Sequence, residues 1–171
     1  MKKILIATIF TINCFADLDT INQFEADFTQ KIVDDTNKSI IYKGHIQAAK
    51  PQYALWQYTQ PVEKEIYIRD SQVIVIEPEL EQVIYKTIDR SFNFFSIINH
   101  AKKITKNTYS AIYKERKFVI TLKNNNLTSI SYHDDFDNLI TINFSNIITN
   151  KIIPSEFFKA KIPVDFDIIK E

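Results

Sequence analysis

The chain has 171 residues, a size typical of one domain, and 45% of them are hydrophobic, which is enough for a sizeable core. Lysine plus arginine and aspartate plus glutamate each number 21, so no basic excess points to a nucleic-acid partner and no acidic run points to disorder. The single glycine, Gly44, excludes a collagen-like chain and a glycine-rich phosphate loop.

The first residues have the three parts of a secretory signal peptide. Lys2 and Lys3 precede a short apolar run at 4–12, and the segment closes with the small residue Ala16. The apolar run is too short to span a bilayer. We therefore expect residues 1–16 to be a signal peptide that is cleaved after Ala16, which leaves 17–171 as a single mature domain.

Cys14 is the only cysteine, and its position leaves a second outcome open. Cleavage after Ala16 would remove the only thiol, and with it any disulfide or cysteine nucleophile. Cleavage just before Cys14 would instead give a lipidated N-terminus. The preceding Thr11-Ile12-Asn13 lacks the leucine and the small residue of a bacterial lipoprotein signal.

The start of the mature chain predicts a short helix followed by two strands. Asp17 or Asp19 can cap the helix. Apolar and polar residues then alternate with strand period over Phe24–Ile32, and alternate again over 40–48. The lone Gly44 inside the second strand predicts a bend or a bulge.

The stretch Lys50–Pro61 predicts a third strand with a proline at each end. Ala54, Trp56 and Tyr58 fall on one face, whereas Leu55 falls on the other beside a tyrosine. Because large apolar groups occupy both faces, this strand needs cover on both sides. A sheet curled around other material gives that cover.

The rest of the chain predicts short antiparallel strands interrupted by one amphipathic segment. Ser91–Lys103 does not alternate and has apolar residues at helical spacing, so it predicts one or two short helices with Ser91 as a cap. The predicted strands are 65–69, 72–77, 81–88, 108–114, 117–123, 127–133 and 139–144, with closing strands from Glu156 and from Val164. This order predicts a mainly β fold with short helices, an incomplete (unclosed) antiparallel β-barrel.

Catalytic and metal-ligating patterns are missing from the sequence. His45, His100 and His133 are isolated, and no histidine or cysteine pair has metal-ligand spacing. No Gly-x-Ser-x-Gly elbow is present, and Asp134-Asp135 beside His133 belongs to a predicted solvated turn. We therefore expect no enzyme activity, no metal and no cofactor. The alternative is a periplasmic enzyme acting on lipids or cell-wall sugars, which would need catalytic groups that converge in a ligand pocket.

Five short motifs follow one another across most of the mature chain. They are Phe28-Thr29-Gln30-Lys31, Lys50-Pro51 with Trp56, Thr59-Gln60-Pro61, Pro78 with Glu81-Gln82, and Phe157 with Pro163-Val164-Asp165. In this order and spacing they resemble the outer-membrane lipoprotein carrier family of the LolA type. Three positions depart from its pattern, because this chain has Lys50 for an arginine, Asp70-Ser71 for an Asp-Gly turn, and Val164 for a glycine.

The resemblance implies a periplasmic chaperone whose unclosed barrel is covered by helices around an apolar cavity. Members of the family take acylated lipoproteins from an inner-membrane ABC lipoprotein-releasing transporter and pass them to an outer-membrane acceptor. That acceptor, of the LolB type, shares the fold but carries a lipid anchor, so a chain anchored through Cys14 would be an acceptor. We expect a monomer with these partners and no nucleic acid.

The apolar inner surface of such a sheet is the candidate site. Its aromatic side chains either pack as core or line a lipid cavity. We predict that Phe92–Ala101 is a helical lid whose own side chains fill the empty cavity and are displaced by cargo. The predicted lipid-binding residues are Phe28, Tyr42, Lys50, Pro51, Trp56, Tyr58, Phe92, Phe94, Phe95, Ile97 and Ile98.

Overall fold

One twelve-stranded sheet makes up most of the structure, a computed structural model that describes residues 18–88 and 94–171. The strands are β1 (Gln23–Val33), β2 (Ser39–Ala49), β3 (Tyr53–Gln60), β4 (Lys64–Arg69), β5 (Gln72–Glu77), β6 (Gln82–Thr87), β7 (Lys102–Lys103), β8 (Thr108–Tyr113), β9 (Arg116–Lys123), β10 (Asn126–His133), β11 (Leu139–Thr149) and β12 (Asp167–Lys170). The helices in these ranges are α1 (Phe94–Asn99) and three 3₁₀ turns at Leu18–Thr20, Pro78–Leu80 and Ser155–Phe158. The expected signal peptide, the cap at Ser91 and the predicted site residue Phe92 lie outside the described residues.

The order of the strands leaves the sheet open. From edge to edge it runs β12-β6-β5-β4-β3-β2-β1-β11-β10-β9-β8-β7, so β12 and β7 are edges that do not pair with each other in the described part. Neighbouring strands run antiparallel, except that β12 runs parallel to β6. The predicted mainly β fold with an unclosed antiparallel sheet is confirmed.

Alternation along the central strand decides which face of the sheet is the inside. In β1, Phe24, Ala26 and Phe28 are buried, whereas the residues between them are only partly covered. The same face of the neighbouring strands adds residues such as Ile46 of β2 and Phe144 of β11 to one large cluster. We call this the inner face. The strand period predicted from the sequence therefore places the main core correctly.

A second apolar cluster covers the opposite, outer face of β3 to β6. Leu55, Tyr67 and Val83 from three of these strands pack there with Phe158 from the C-terminal segment. The ring of Phe158 stacks on the ring of Tyr53, with 5.6 Å between the two centroids. Both faces of β3 are thus covered, as its sequence predicts, and the outer cover is the chain's own C-terminal segment.

The C-terminal segment differs from its prediction in two ways. The sequence predicts a strand from Glu156, but Ser155–Phe158 is a 3₁₀ turn closed by a 3.1 Å bond from the Phe157 N–H to the Pro154 carbonyl. This prediction is wrong because four residues are too few to separate strand period from a turn that buries one side chain. The last strand does form, but it pairs parallel with β6 and is not part of the antiparallel meander.

Gly44 lies at an irregular step where β2 pairs with β3. The register shifts between Lys43 and Gly44, which confirms the predicted bulge. A Cβ atom at Gly44 would lie 2.0 Å from the backbone oxygen of Gln57 and 2.8 Å from the ring of Phe28. Only glycine permits this close approach of two backbones beneath an aromatic ring.

Two turns at the same end of the sheet have the same construction. One joins β1 to β2, and there Asp34 Oδ1 accepts hydrogen bonds from the N–H groups of Thr36 at 2.9 Å and Lys38 at 2.8 Å. The other joins β10 to β11, and there Asp134 Oδ1 accepts from the N–H groups two and four residues later, both at 2.9 Å. The two turns are neighbours because Val33 of β1 pairs with the first residues of both β2 and β11.

Candidate functional site

The short helix α1 packs against the inner face where β1 begins. Four of its six residues are apolar, and Phe95, Ile97 and Ile98 are buried. The ring of Phe94 lies 5.0 Å from the ring of Phe24, centroid to centroid. A helix of this length is not stable alone in water, so packing on the sheet is what holds it. The predicted short amphipathic helix is confirmed.

Lys50, just beyond the end of β2, connects this part of the sheet to α1. Its Nζ donates a 2.9 Å hydrogen bond to the backbone carbonyl of Asp19 and lies 5.9 Å from the ring centroid of Phe95. A single ammonium group therefore contacts both the first 3₁₀ turn and the helix. Pro51 beside it is exposed and does not line the pocket described next.

A pocket of about 110 Å³ lies between α1 and the inner face. Of the residues predicted from the sequence, Trp56, Phe94, Phe95 and Ile97 line it. The prediction misses the remaining lining residues, which are Gln52, Tyr53, Ala54, Ile68, Phe118, Ile130, Tyr132 and Ile142. Nearly all of these side chains are apolar or aromatic, so the walls of the pocket suit a hydrocarbon ligand.

Three other predicted residues form an aromatic cluster with Trp56 farther along the inner face. Phe28 meets Trp56 and Tyr58 edge-on, with ring centroids 5.1 and 5.0 Å apart, and Tyr42 meets Tyr58 at 5.8 Å. Trp56 belongs both to this cluster and to the pocket wall. The structure therefore brings together the predicted residues of β1, β2 and β3, and Trp56 joins them to the residues of α1.

At one end of this aromatic cluster, Tyr58 is hydrogen-bonded to Gln30. The hydroxyl of Tyr58 donates a 2.9 Å hydrogen bond to Oε1 of Gln30. Burial raises the pKa of Tyr58 well above its ordinary value, so the hydroxyl stays protonated and remains a donor. Lys64 Nζ lies over the ring of Tyr58 at 4.6 Å and over that of Tyr42 at 5.5 Å. Sequence reasoning missed Gln30 as a site residue, although the alternation of β1 puts it on the same face as Phe28.

Residues with metal or acid–base chemistry lie away from the pocket. His45, isolated in the sequence, has its Nδ1 atom 2.8 Å from Oδ1 of Asp27 and its Nε2 atom 3.6 Å from Oε1 of Glu25. The pKa of Asp27 is lowered, chiefly by a side-chain hydrogen bond from Asn146. No group of three or more His, Cys, Asp or Glu residues in 18–88 and 94–171 could hold a metal ion. Within the same ranges, no helix has the length and apolar character needed to cross a membrane.

Comparison with known proteins identifies the family. The family model described as "Outer membrane lipoprotein carrier protein LolA" matches residues 19–161. The chain belongs to the LolA family. The resemblance drawn from the five short motifs is therefore confirmed, and the LolA match ends just before the segment that leads into β12.

Relatives in other bacteria match the chain over most of its length. An outer-membrane lipoprotein carrier protein of Campylobacter jejuni is 41% identical over 169 residues, which cover 99% of both chains. The protein of the same name from Wolinella succinogenes is 30% identical over 172 residues and 100% of both chains. That of Helicobacter pylori strain J99 is 33% identical over 141 residues, 82% of this chain and 76% of the relative. The similarity to LolA proteins thus extends over the whole fold.

Solved structures share the fold of this chain at low sequence identity. A LolA superfamily protein of Nitrosomonas europaea matches with a TM-score of 0.51 at 8% identity, covering 85% of this chain and 94% of that one. An uncharacterized conserved protein of Thermus thermophilus matches with a TM-score of 0.54 at 7% identity, covering 91% of this chain and 94% of that one. These similarities concern the fold alone.

Proposed function

We propose that this protein is a periplasmic chaperone that carries acylated lipoproteins by burying their acyl chains against the inner face of the sheet. The observation that carries this proposal is the pocket between α1 and the inner face, whose walls are almost entirely apolar. Membership of the LolA family supports the same cargo. Among the described residues, no Asp, Glu, His, Lys, Cys or Ser lines the pocket, so the alternative of a lipid-acting enzyme gains no support from it.

In this proposal α1 is the lid of the lipid cavity. Burying a 16-carbon chain offers roughly 12 kcal/mol at about 0.8 kcal/mol per methylene, and a carrier that gained all of it could not release its cargo. The side chains of Phe95 and Ile98 already occupy apolar space in the empty protein. Loading displaces them, so the affinity is the difference between two apolar burials. Release to the next partner then becomes feasible.

The proposed lipid contacts fall into three groups. Phe28, Tyr42, Trp56 and Tyr58 supply the wall on the sheet, and Phe94, Phe95, Ile97 and Ile98 of α1 are the groups that cargo replaces. Lys50 contacts α1 in its closed position through Phe95. Pro51 is exposed, and Phe92 lies outside the described residues.

Location and partners complete the proposal. The signal peptide is removed after Ala16, and the mature protein accepts lipoproteins from an inner-membrane ABC transporter and delivers them to an outer-membrane acceptor. Mass spectrometry of the mature N-terminus tests the first step. A free Asp17 supports the carrier, whereas an acylated Cys14 would make the protein a membrane-anchored acceptor.

The experiment that tests the carrier function is a release assay. The purified protein is incubated with spheroplasts, and a triacylated lipoprotein is expected in the soluble fraction in a stoichiometric complex with it. Phe95→Asp places a charge where α1 meets the core and is expected to abolish loading, while far-UV circular dichroism shows that the sheet is retained. Phe157→Asp, at a side chain that is 52% exposed, is the matched control.

Two outcomes would overturn parts of the proposal separately. If the lipoprotein stays in the membrane although the wild-type protein is folded, the carrier function is wrong. If Phe95→Asp still loads cargo as the wild type does, the protein is a carrier but α1 is not its lid.

A further inference from the structure

Gln30 is a polar side chain in an apolar place. Among the described residues, Gln30 is the only polar or charged residue that is buried, with 8% of its surface exposed. It belongs to the inner face of β1, two residues after Phe28, and its neighbours across the sheet are Tyr42 of β2 and Ile142 of β11. Burying a carboxamide costs free energy unless its hydrogen bonds are made. A glutamine buried at this position therefore needs hydrogen-bond partners that offset the cost of its burial.

The hydrogen bond with Tyr58 uses only the oxygen of the Gln30 carboxamide. The hydroxyl of Tyr58 donates to Oε1 of Gln30, which leaves the two N–H donors on Nε2. The ammonium group of Lys64 lies over the ring of Tyr58, 4.6 Å from its centroid, and so covers this side chain. The amide oxygen thus has a partner, and the amide nitrogen retains its capacity to donate.

The pair lies next to the pocket wall. Phe28 contacts both Trp56, which lines the pocket, and Tyr58, which holds Gln30. α1 covers the other end of the inner face, where Phe94 packs on Phe24. From Phe24 to Gln30 is six strand residues, on the order of 20 Å, which is comparable to an extended long acyl chain. A chain lying between these ends would have its hydrocarbon near α1 and its linkage near Gln30.

We propose that Gln30, positioned by Tyr58, binds a carbonyl oxygen of the ester or amide groups that join acyl chains to the cargo. The proposal rests on the carrier function above and adds the orientation of the ligand. Nε2 of Gln30 donates to the ligand carbonyl, while Tyr58 holds the carboxamide in place through Oε1. Gln30 is then a ligand-contacting residue and Tyr58 is a positioning residue. The carbonyl belongs to the glyceryl esters of a lipoprotein or a phospholipid, or to the N-acyl amide of a lipoprotein.

The test compares two soluble probes of equal chain length. One is a tripalmitoyl-cysteinyl lipopeptide, and the other is its carbonyl-free analogue, with ether and amine linkages. Binding is followed by the fluorescence of Trp56, the only tryptophan, which lines the pocket. Gln30→Met is expected to weaken binding of the lipopeptide about three- to tenfold, as for the loss of one hydrogen bond, and to leave the analogue within about twofold. Tyr58→Phe is expected to reduce the preference for the lipopeptide by a smaller factor.

Two variants control for folding. Gln47→Met makes the same change on the outer side of β2 and is expected to alter neither affinity. The double variant Gln30→Met/Tyr58→Phe removes both partners of the hydrogen bond, so no buried hydroxyl is left unpaired if the single variant unfolds. It is expected to bind the two probes equally well.

The outcomes separate this site from the carrier function. Equal weakening of both probes by Gln30→Met, or no change for either, would overturn the carbonyl site. A wild type that binds both probes with no preference would overturn it too, while leaving the carrier intact. A wild type that binds neither would overturn the carrier function itself. A diacyl phospholipid as a third probe assigns the source, since a loss shared with it identifies the glyceryl esters and a loss confined to the lipopeptide identifies the amide.

Discussion

Gly44 shows how one residue can fix the path of two strands. Gly44→Ala would place a Cβ atom 2.0 Å from the backbone oxygen of Gln57, and that oxygen cannot move without displacing β3. We expect the free energy of unfolding to fall by about 1–3 kcal/mol, as in other overpacked sites. Urea unfolding measures it. Ser39→Ala, at an exposed position of the same strand, should change it by less than about 0.5 kcal/mol, and an equal effect of both variants would contradict this account.

The contacts of Lys50 with Asp19 and Phe95 are expected to slow the local opening of α1. Lys50→Met keeps the apolar stem but removes the charge that contacts the Phe95 ring and the Asp19 carbonyl. The loss of a cation–π contact and a hydrogen bond should make the opening of α1 easier by about 1–2 kcal/mol. Hydrogen exchange of the α1 amides is then expected to be about 5- to 30-fold faster. Lys43→Met, on β2 away from α1, should leave those rates unchanged.

The 3₁₀ turn Ser155–Phe158 contains two adjacent phenylalanines, of which one is buried and the other is exposed. Phe158 is 2% exposed and stacks on Tyr53, whereas Phe157 beside it is 52% exposed. Phe158→Ala should cost about 3–5 kcal/mol of stability because it leaves a cavity under the C-terminal segment. Phe157→Ala should cost less than about 0.5 kcal/mol. Similar losses for the two variants in denaturant unfolding would show that this segment does not hold the outer face.

Elements with a regular apolar period could be predicted from the sequence, whereas those whose shape depends on distant packing could not. β1 alternates over eleven residues, so its inner and outer faces follow directly from Phe24 to Gln30. The segment from Glu156 has only a few residues between prolines, and burial of Phe158 by tertiary packing decides its shape. The parallel pairing of β12 with β6 joins two segments that lie far apart in the sequence, and no local pattern in either segment predicts it.

The candidate site was predictable to a similar degree. The apolar residues of α1 and the aromatic residues of β3 have sequence signals, and Phe94, Phe95, Ile97 and Trp56 do line the pocket. Phe118, Ile130 and Tyr132 come from β9 and β10, more than sixty residues after Trp56, and the pairing of β1 with β11 brings these two parts of the sheet together. A sequence pattern gives the face of each strand but not the neighbours of that face.

For the molecule as a whole, acid stability depends in part on its two matching turns. A side-chain hydrogen bond from Thr36 lowers the pKa of Asp34. Burial raises the pKa of Asp134, but hydrogen bonds from Asn138 outweigh it and leave the pKa lowered. Because both folded-state pKa values lie below those of the unfolded chain, the folded state binds fewer protons. The stability they contribute is present above about pH 4 and is lost as the pH falls through the lowered values.

This argument predicts the behaviour of a double variant. Asp34→Asn/Asp134→Asn keeps an oxygen that can accept the turn hydrogen bonds but does not titrate. Urea unfolding at several pH values between 7 and 2 should show a shallower loss of stability at low pH for the double variant than for the wild type. Above pH 5 the two proteins should respond alike to pH. Identical slopes throughout would mean that these turns do not contribute to acid unfolding.

The open order of the strands also bears on how the protein behaves in a crowded solution of its own copies. Each free edge of a sheet is a template on which another chain can pair and begin an aggregate. One edge here, β7, has only Lys102 and Lys103, both exposed, and the other, β12, is four residues long with a charge at each end. Short, charged edges give a second copy little to pair with. The sheet can therefore stay open without offering a long template for pairing at β7 or β12.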